Sequence, residues 1–129
     1  RQRQMCIRDR ADILGAAVAQ MCALGAHPAD IRAAIGPGIG ACCFEVGPEV
    51  VSAAEALLHE PLGALVRPRA DGKALLDLKG VNARRLVQLG VPAERIAVSD
   101  ACTMCRPDVF WSHRATNGRR GVQAAVITL

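Results

Sequence analysis

Tyrosine is missing from this chain, and its only aromatic side chains are Phe44, Phe110 and Trp111. A core with so few rings must be filled by Ala, Val, Leu and Ile. The same scarcity leaves no platform on which single-stranded nucleic acid would stack. No stretch approaches the roughly 20 apolar residues that a spanning helix needs. No apolar segment of the kind found in secretory leaders follows the basic start, so the expectation is a cytoplasmic protein that does not enter a membrane. His27, His59 and His113 stand isolated along the chain. No HExxH motif, Ser-His-Asp set or paired-carboxylate site can be assembled from what is present.

The charge that is present is unevenly spread. The 129 residues carry a net charge of +4, but Arg1, Arg3, Arg8 and Arg10 crowd the first ten positions against Asp9 alone. Beyond them the excess is too small to favour an acidic partner, which argues against a nucleic-acid surface. Six cysteines accompany an apolar content of 51%. Such a composition can build an ordinary core, so the cysteines read as reduced thiols rather than as a disulfide scaffold.

The length fits one domain. Residues 1–10 have no apolar period and no cap chemistry, and are expected to be a non-native segment outside the fold. From Ala11 the composition changes. Ile13, Leu14, Ala17, Met21 and Leu24 recur at helical spacing, with Gly25 as a stop. A strand is expected over Ile31–Ile35 and an extended piece over Phe44–Val46. Pro48 suits the first position of a helix running to about Leu58. His59 to Gly72 reads as a loop. Asp77 can cap a helix over Leu78–Leu89, with Val81, Leu86 and Leu89 inward and Gly90 at its end. A strand over Arg95–Ser99 is followed by a loop at Cys102–Asp108. Phe110–Arg114 and Gly121–Leu129 read as paired strands around Asn117-Gly118. Helices and strands interleave, which gives an α/β or α+β fold class.

The densest chemical signal is Ile35-Gly-Pro-Gly-Ile-Gly-Ala-Cys-Cys-Phe-Glu-Val-Gly47. So many glycines directly after a strand allow a sharp turn or a close approach to a ligand. Gly36-x-Gly38-x-x-Ala41 formally matches a dinucleotide fingerprint, but no helix begins inside the loop and Pro37 removes an amide. Cys102-x-x-Cys105 together with Cys42-Cys43 offers four thiols. Adjacent cysteines do not readily share one tetrahedral ion, so the thiols are expected to pack as small hydrophobes. On a strand, Ser112 and Arg114 would share a face, and a hydroxyl beside a guanidinium suits a phosphate or a nucleobase edge.

Four segments, taken in order, resemble one family. They are Ile35-Gly-Pro-Gly-Ile-Gly with Phe44-Glu-Val-Gly-Pro-Glu-Val; Leu76-Asp-Leu with Asn82; Asp100-x-Cys102-Thr103; and Phe110-Trp-Ser-His-Arg followed by Gly118-Arg119 and the closing apolar run. Together they resemble the C-terminal portion of the laccase-domain proteins, the multicopper polyphenol oxidase family, over Ala11 to Leu129. The resemblance implies an α/β (α+β) sandwich with mixed β-sheets, here a partial domain over residues 11–129. It implies zinc-dependent purine nucleoside phosphorylase activity on adenosine, inosine and methylthioadenosine, together with adenosine deamination. Copper-dependent phenol oxidation and peptidoglycan editing are also described in the family.

The family's metal ligands, two histidines and a cysteine, precede the helix near Ala11 and have no counterpart here. On that resemblance the chain carries no metal ligand and no catalytic residue, and is expected to be inactive alone. Its substrate-binding set would be Arg114, Ser112, Cys102 and Thr103, with a purine nucleoside and phosphate as partners and zinc, or copper, in the parent protein. His113 stands where the family has an aromatic residue, and Ala115 where it has a second arginine. The alternative is a stand-alone, non-enzymatic interaction domain.

Overall fold

The computed structural model describes residues 12–119, 121–124 and 126. Helix α1, Ile13–Ala23, begins where the Asp12 carboxylate accepts the Gly15 N–H at 3.1 Å, and it buries Val18. Strand β1, Ala33–Ile35, follows a 3-10 turn at Pro28–Asp30. The glycine-rich loop then leads to β2, Glu45–Val46, and to helix α2, Pro48–Leu58, with proline at its first position. Strands β3, Val66–Pro68, and β4, Ala74–Leu76, precede helix α3, Leu78–Gln88. Asp77 caps α3 by accepting the Gly80 N–H at 3.0 Å. Strand β5 is Ile96–Val98.

Two sheets result. Strands β1 and β5 run parallel, Ala33 opposite Ile96 and Ile35 opposite Val98. The other sheet is antiparallel in the order β2-β4-β3. The fold is therefore α/β with mixed sheets, as expected from the sequence.

Apolar burial divides in the same way. Phe44, Val46, Ala54, Leu58, Leu62, Ala74, Leu76 and Val81 form one cluster under the antiparallel sheet. Val18, Ile31, Leu86 and Val91 form a second beneath β1 and β5. Helix α3 serves both, with Val81 facing one cluster and Leu86 the other. Its last turn is also tied to the start of α1, where Arg85 Nε donates to Asp12 Oδ1 at 3.1 Å.

The structure corrects the sequence reading in three places. The stretch expected as a loop from His59 to Gly72 contains β3, and β4 follows directly. Both strands are only three residues long, and Pro68 ends β3, so neither carries a readable period. Phe110–Arg114 is not a strand. Thr116 N–H instead donates to Ser112 O at 3.2 Å and Gly118 N–H to His113 O at 2.8 Å, a helical turn closed by left-handed Asn117 and Gly118. Asn-Gly supplies the positive φ that a hairpin turn needs, but a helical C-terminus needs it equally. Third, Gly121–Gln123 is not strand either. Much of the rest of the expected strand Gly121–Leu129, and the segment 1–10, lies outside the described residues.

Candidate functional site

Because β1 and β5 are parallel neighbours, the chain leaves both at the same edge of the sheet. Open α/β sheets commonly place their sites at such strand ends. The pairing continues past the strands. Ser99 N–H donates to Ile35 O at 2.9 Å and Thr103 N–H to Gly38 O at 3.0 Å, and Gly38 and Cys102 form a parallel bridge. The glycine-rich loop is thus zipped to the segment carrying Cys102-x-x-Cys105.

That register brings four thiols together. The Sγ atoms of Cys42, Cys43, Cys102 and Cys105 all lie within 4.8 Å of one another. Cys105 Sγ is 3.6 Å from Cys42 Sγ and 3.5 Å from Cys43 Sγ. Adjacency of Cys42 and Cys43 looked prohibitive because neighbouring side chains diverge in an extended chain. Here they occupy a tight turn, in which the N–H groups of Cys43 and Phe44 both donate to Gly40 O, at 3.0 and 2.9 Å. The turn aims both thiols toward Cys105. Gly40 makes this fit: a Cβ there would stand 3.2 Å from both Cys42 Sγ and Cys102 Cβ.

The electrostatics of the cluster are uneven. Burial pushes the Cys102 thiol up, but N–H groups of Gly40, Cys105 and Met104 directed at its sulfur outweigh this and hold it at about 6. The contact from Gly40 N is 3.2 Å. Cys43 goes the other way, pushed up to about 12 by its contact with Cys105 and by burial. The surroundings thus favour the thiolate at Cys102 and the thiol at Cys43. Among the described residues these four cysteines are the group that can bind a metal ion.

The other expected site residues gather along the same loop. Thr103 is buried and bonded to Gly38. Arg114 Nη1 donates to Glu45 O at 2.7 Å, and its guanidinium lies 5.1 Å from the centre of the Phe44 ring. Ser112 is buried at the start of the helical turn, where its Oγ accepts the Ala115 N–H at 3.3 Å. Ser112 and Arg114 do not form the shared strand face expected of them. Lys79, which the sequence reading passed over, reaches from α3 to donate to Ser99 O at 2.5 Å and Ala101 O at 3.2 Å. It steadies the approach to Cys102 and is itself buried.

A separate open cleft of about 590 Å³ runs along α2, beside the start of α1 and the last turn of α3, lined by Asp12, Glu49, Ser52, His59 and Arg85 among others. None of the expected site residues lines it.

Comparison with known proteins decides the relationship. A family model described as multi-copper polyphenol oxidoreductase laccase matches residues 9–129. The chain belongs to that family. It is 40% identical over 100 residues to the purine nucleoside phosphorylase YlmD of Geobacillus stearothermophilus, covering 78% of this chain and 36% of that protein. It is 43% identical over 102 residues to adenosine deaminase RL5 from an unknown prokaryotic organism, covering 79% and 39%. The crystal structure of YlmD from G. stearothermophilus superposes with a TM-score of 0.79 at 35% identity, over 88% of this chain and 42% of that one. The Bacillus licheniformis protein YfiH gives the same TM-score at 37% identity, over 88% and 43%. The chain thus spans well under half the length of these two curated relatives.

Proposed function

We propose that this laccase-family chain forms the substrate-contacting C-terminal portion, residues 11–129, of a purine nucleoside phosphorylase. The observation that carries this reading is the sequence and structural match to YlmD. In phosphorolysis a phosphate oxygen bonds to ribose C1′ as the C1′–N9 bond breaks, and the purine leaves with the bonding pair and takes up a proton. The enzyme must hold an anion against a ribose in line with the departing base.

Arg114 suits the anion. Its guanidinium is oriented by Phe44 and by the Glu45 carbonyl, which leaves other N–H groups directed outward for phosphate. The glycine-rich loop lets the backbone approach the ribose closely. Thr103 and Cys102 hold that loop in register, and Ser112 builds the turn that presents Arg114.

The zinc of the parent enzyme would need a position open to water or substrate. A set of four thiols saturates a tetrahedral ion and leaves none, so the cysteine cluster does not fit that role. No step of the reaction is routed through it, and the reacting centre is proposed to lie in residues other than those described. Copper in place of zinc is open to the same objection at this cluster.

A second reading is favoured by the likeness to adenosine deaminase RL5: the same nucleoside pocket can present adenosine for deamination. Both readings are tested by titrating the chain with inosine, adenosine and inorganic phosphate while following amide chemical shifts. Shifts at Gly38, Thr103 and Arg114, without release of hypoxanthine, are expected. Turnover by the chain alone would contradict the placement of the chemistry. No shift with any of the three probes would contradict the binding role.

A further inference from the structure

We propose that Cys42, Cys43, Cys102 and Cys105 form a closed tetrathiolate site for a single zinc-class divalent ion, which staples the glycine-rich loop to the segment after β5. This goes beyond the proposed activity and does not rest on it.

Three observations converge. The first is spacing. Four sulfurs about 2.3 Å from one tetrahedral ion stand about 3.8 Å apart. Here Cys105 Sγ stands 3.5 and 3.6 Å from the sulfurs of Cys43 and Cys42 and all four lie within 4.8 Å of one another, so an ion fits with little movement. An iron–sulfur cluster divides its cysteines among several irons and needs a wider set.

The second is the shape of the CxxC segment. Arg106 N–H donates back to Cys102 O at 3.1 Å, which closes the turn, and Gly40 N–H, from the other loop, donates to Cys102 Sγ at 3.2 Å. Such N–H···S contacts orient a thiolate and offset its charge, as the outer partners of a metal ligand do. The third is the second cysteine pair. Its turn gives Cys42 and Cys43 a common direction, and Gly40 leaves room for the Cys42 sulfur.

An all-sulfur donor set selects a soft or borderline ion over magnesium or calcium. Four protein ligands leave no open position, so the site is structural. Binding forms four metal–sulfur bonds, and the thiol protons still present pass to solvent. Cys42 and Cys105 are exposed, so the ion can enter from solvent.

The experiment is to purify the 129-residue chain under reducing conditions, strip it of metal and titrate it with Co²⁺, then with Zn²⁺. One equivalent of cobalt should give intense tetrahedral d–d bands with sulfur-to-cobalt charge transfer, and one equivalent of zinc should abolish both. Cys105→Ser should weaken zinc binding by more than about a hundredfold, whereas Cys22→Ser should leave the stoichiometry at one. If Cys105→Ser does not fold, alkylation of the wild-type chain decides: bound zinc should protect four thiols together. An octahedral cobalt spectrum, no bound zinc, or cysteine pairs recovered as disulfides under these conditions would overturn the proposal.

Discussion

Around the antiparallel sheet, Leu58, Leu62, Leu76 and Val81 are shut away from solvent. Along the loops beyond β1 and β5 and around the turn after Ser112, by contrast, Cys42, Cys105 and Arg114 are exposed. The first region is held by apolar burial, which is non-directional and shared among many side chains. The second rests on a few hydrogen bonds, from Thr103 to Gly38, Gly40 to Cys102, Lys79 to Ser99 and Ala101, and Arg114 to Glu45. Each such bond is worth only about 1 kcal/mol net. The core can therefore persist while the site loosens, and a bound ion would act on the site far more than on the core.

The largest break in that contrast should come from the core. Leu76→Ala should cost about 2–5 kcal/mol, measured as a lower urea midpoint, because Leu76 is fully buried in the cluster that holds Phe44, Ala54, Leu58 and Val81. Lys79→Met couples the two regions. It should cost about 1–3 kcal/mol by leaving the Ser99 and Ala101 carbonyls without their donor. Hydrogen exchange should then speed up in residues 99–106 more than in β4.

Metal removal sharpens the comparison without touching the core. Stripping zinc should raise exchange at the Gly40 and Thr103 amides at least about tenfold while Leu76, in the core strand, is unchanged. Asp77→Ala removes the α3 cap and should cost about 1 kcal/mol, seen as a modest fall in Tm.

The smallest effect is one of pH. The Arg85 guanidinium beside Asp12 holds that carboxyl below its ordinary value. The stability it contributes is present above the ordinary carboxylate range and is lost as pH falls through the lowered value. Asp12→Asn should flatten that part of the acid limb.

Much of the scaffold was legible because its elements announce themselves locally. Pro48 opens α2, Asp77 caps α3, and the apolar spacing of α3 marks Val81 and Leu86 as buried. The parallel pairing of β1 with β5 was not legible, since three-residue strands carry no period and register is set only by tertiary contact. Without that pairing the two cysteine pairs are 59 or more residues apart in sequence with no reason to meet. Asn117-Gly118 misled for a different reason. Its positive φ serves a helical turn as well as a hairpin, and nothing local distinguishes the two. The resemblance to the laccase-domain family reached the right kinship because it used the order of segments rather than any one motif.

On the proposal above, two loops fixed by the β1–β5 register present four thiolates to one ion. Zinc K-edge absorption spectroscopy on the loaded chain tests it most directly. Four sulfur neighbours at about 2.3 Å, and no nitrogen or oxygen in the coordination sphere, are expected. A shell containing nitrogen or oxygen, or fewer than four sulfurs, would contradict it.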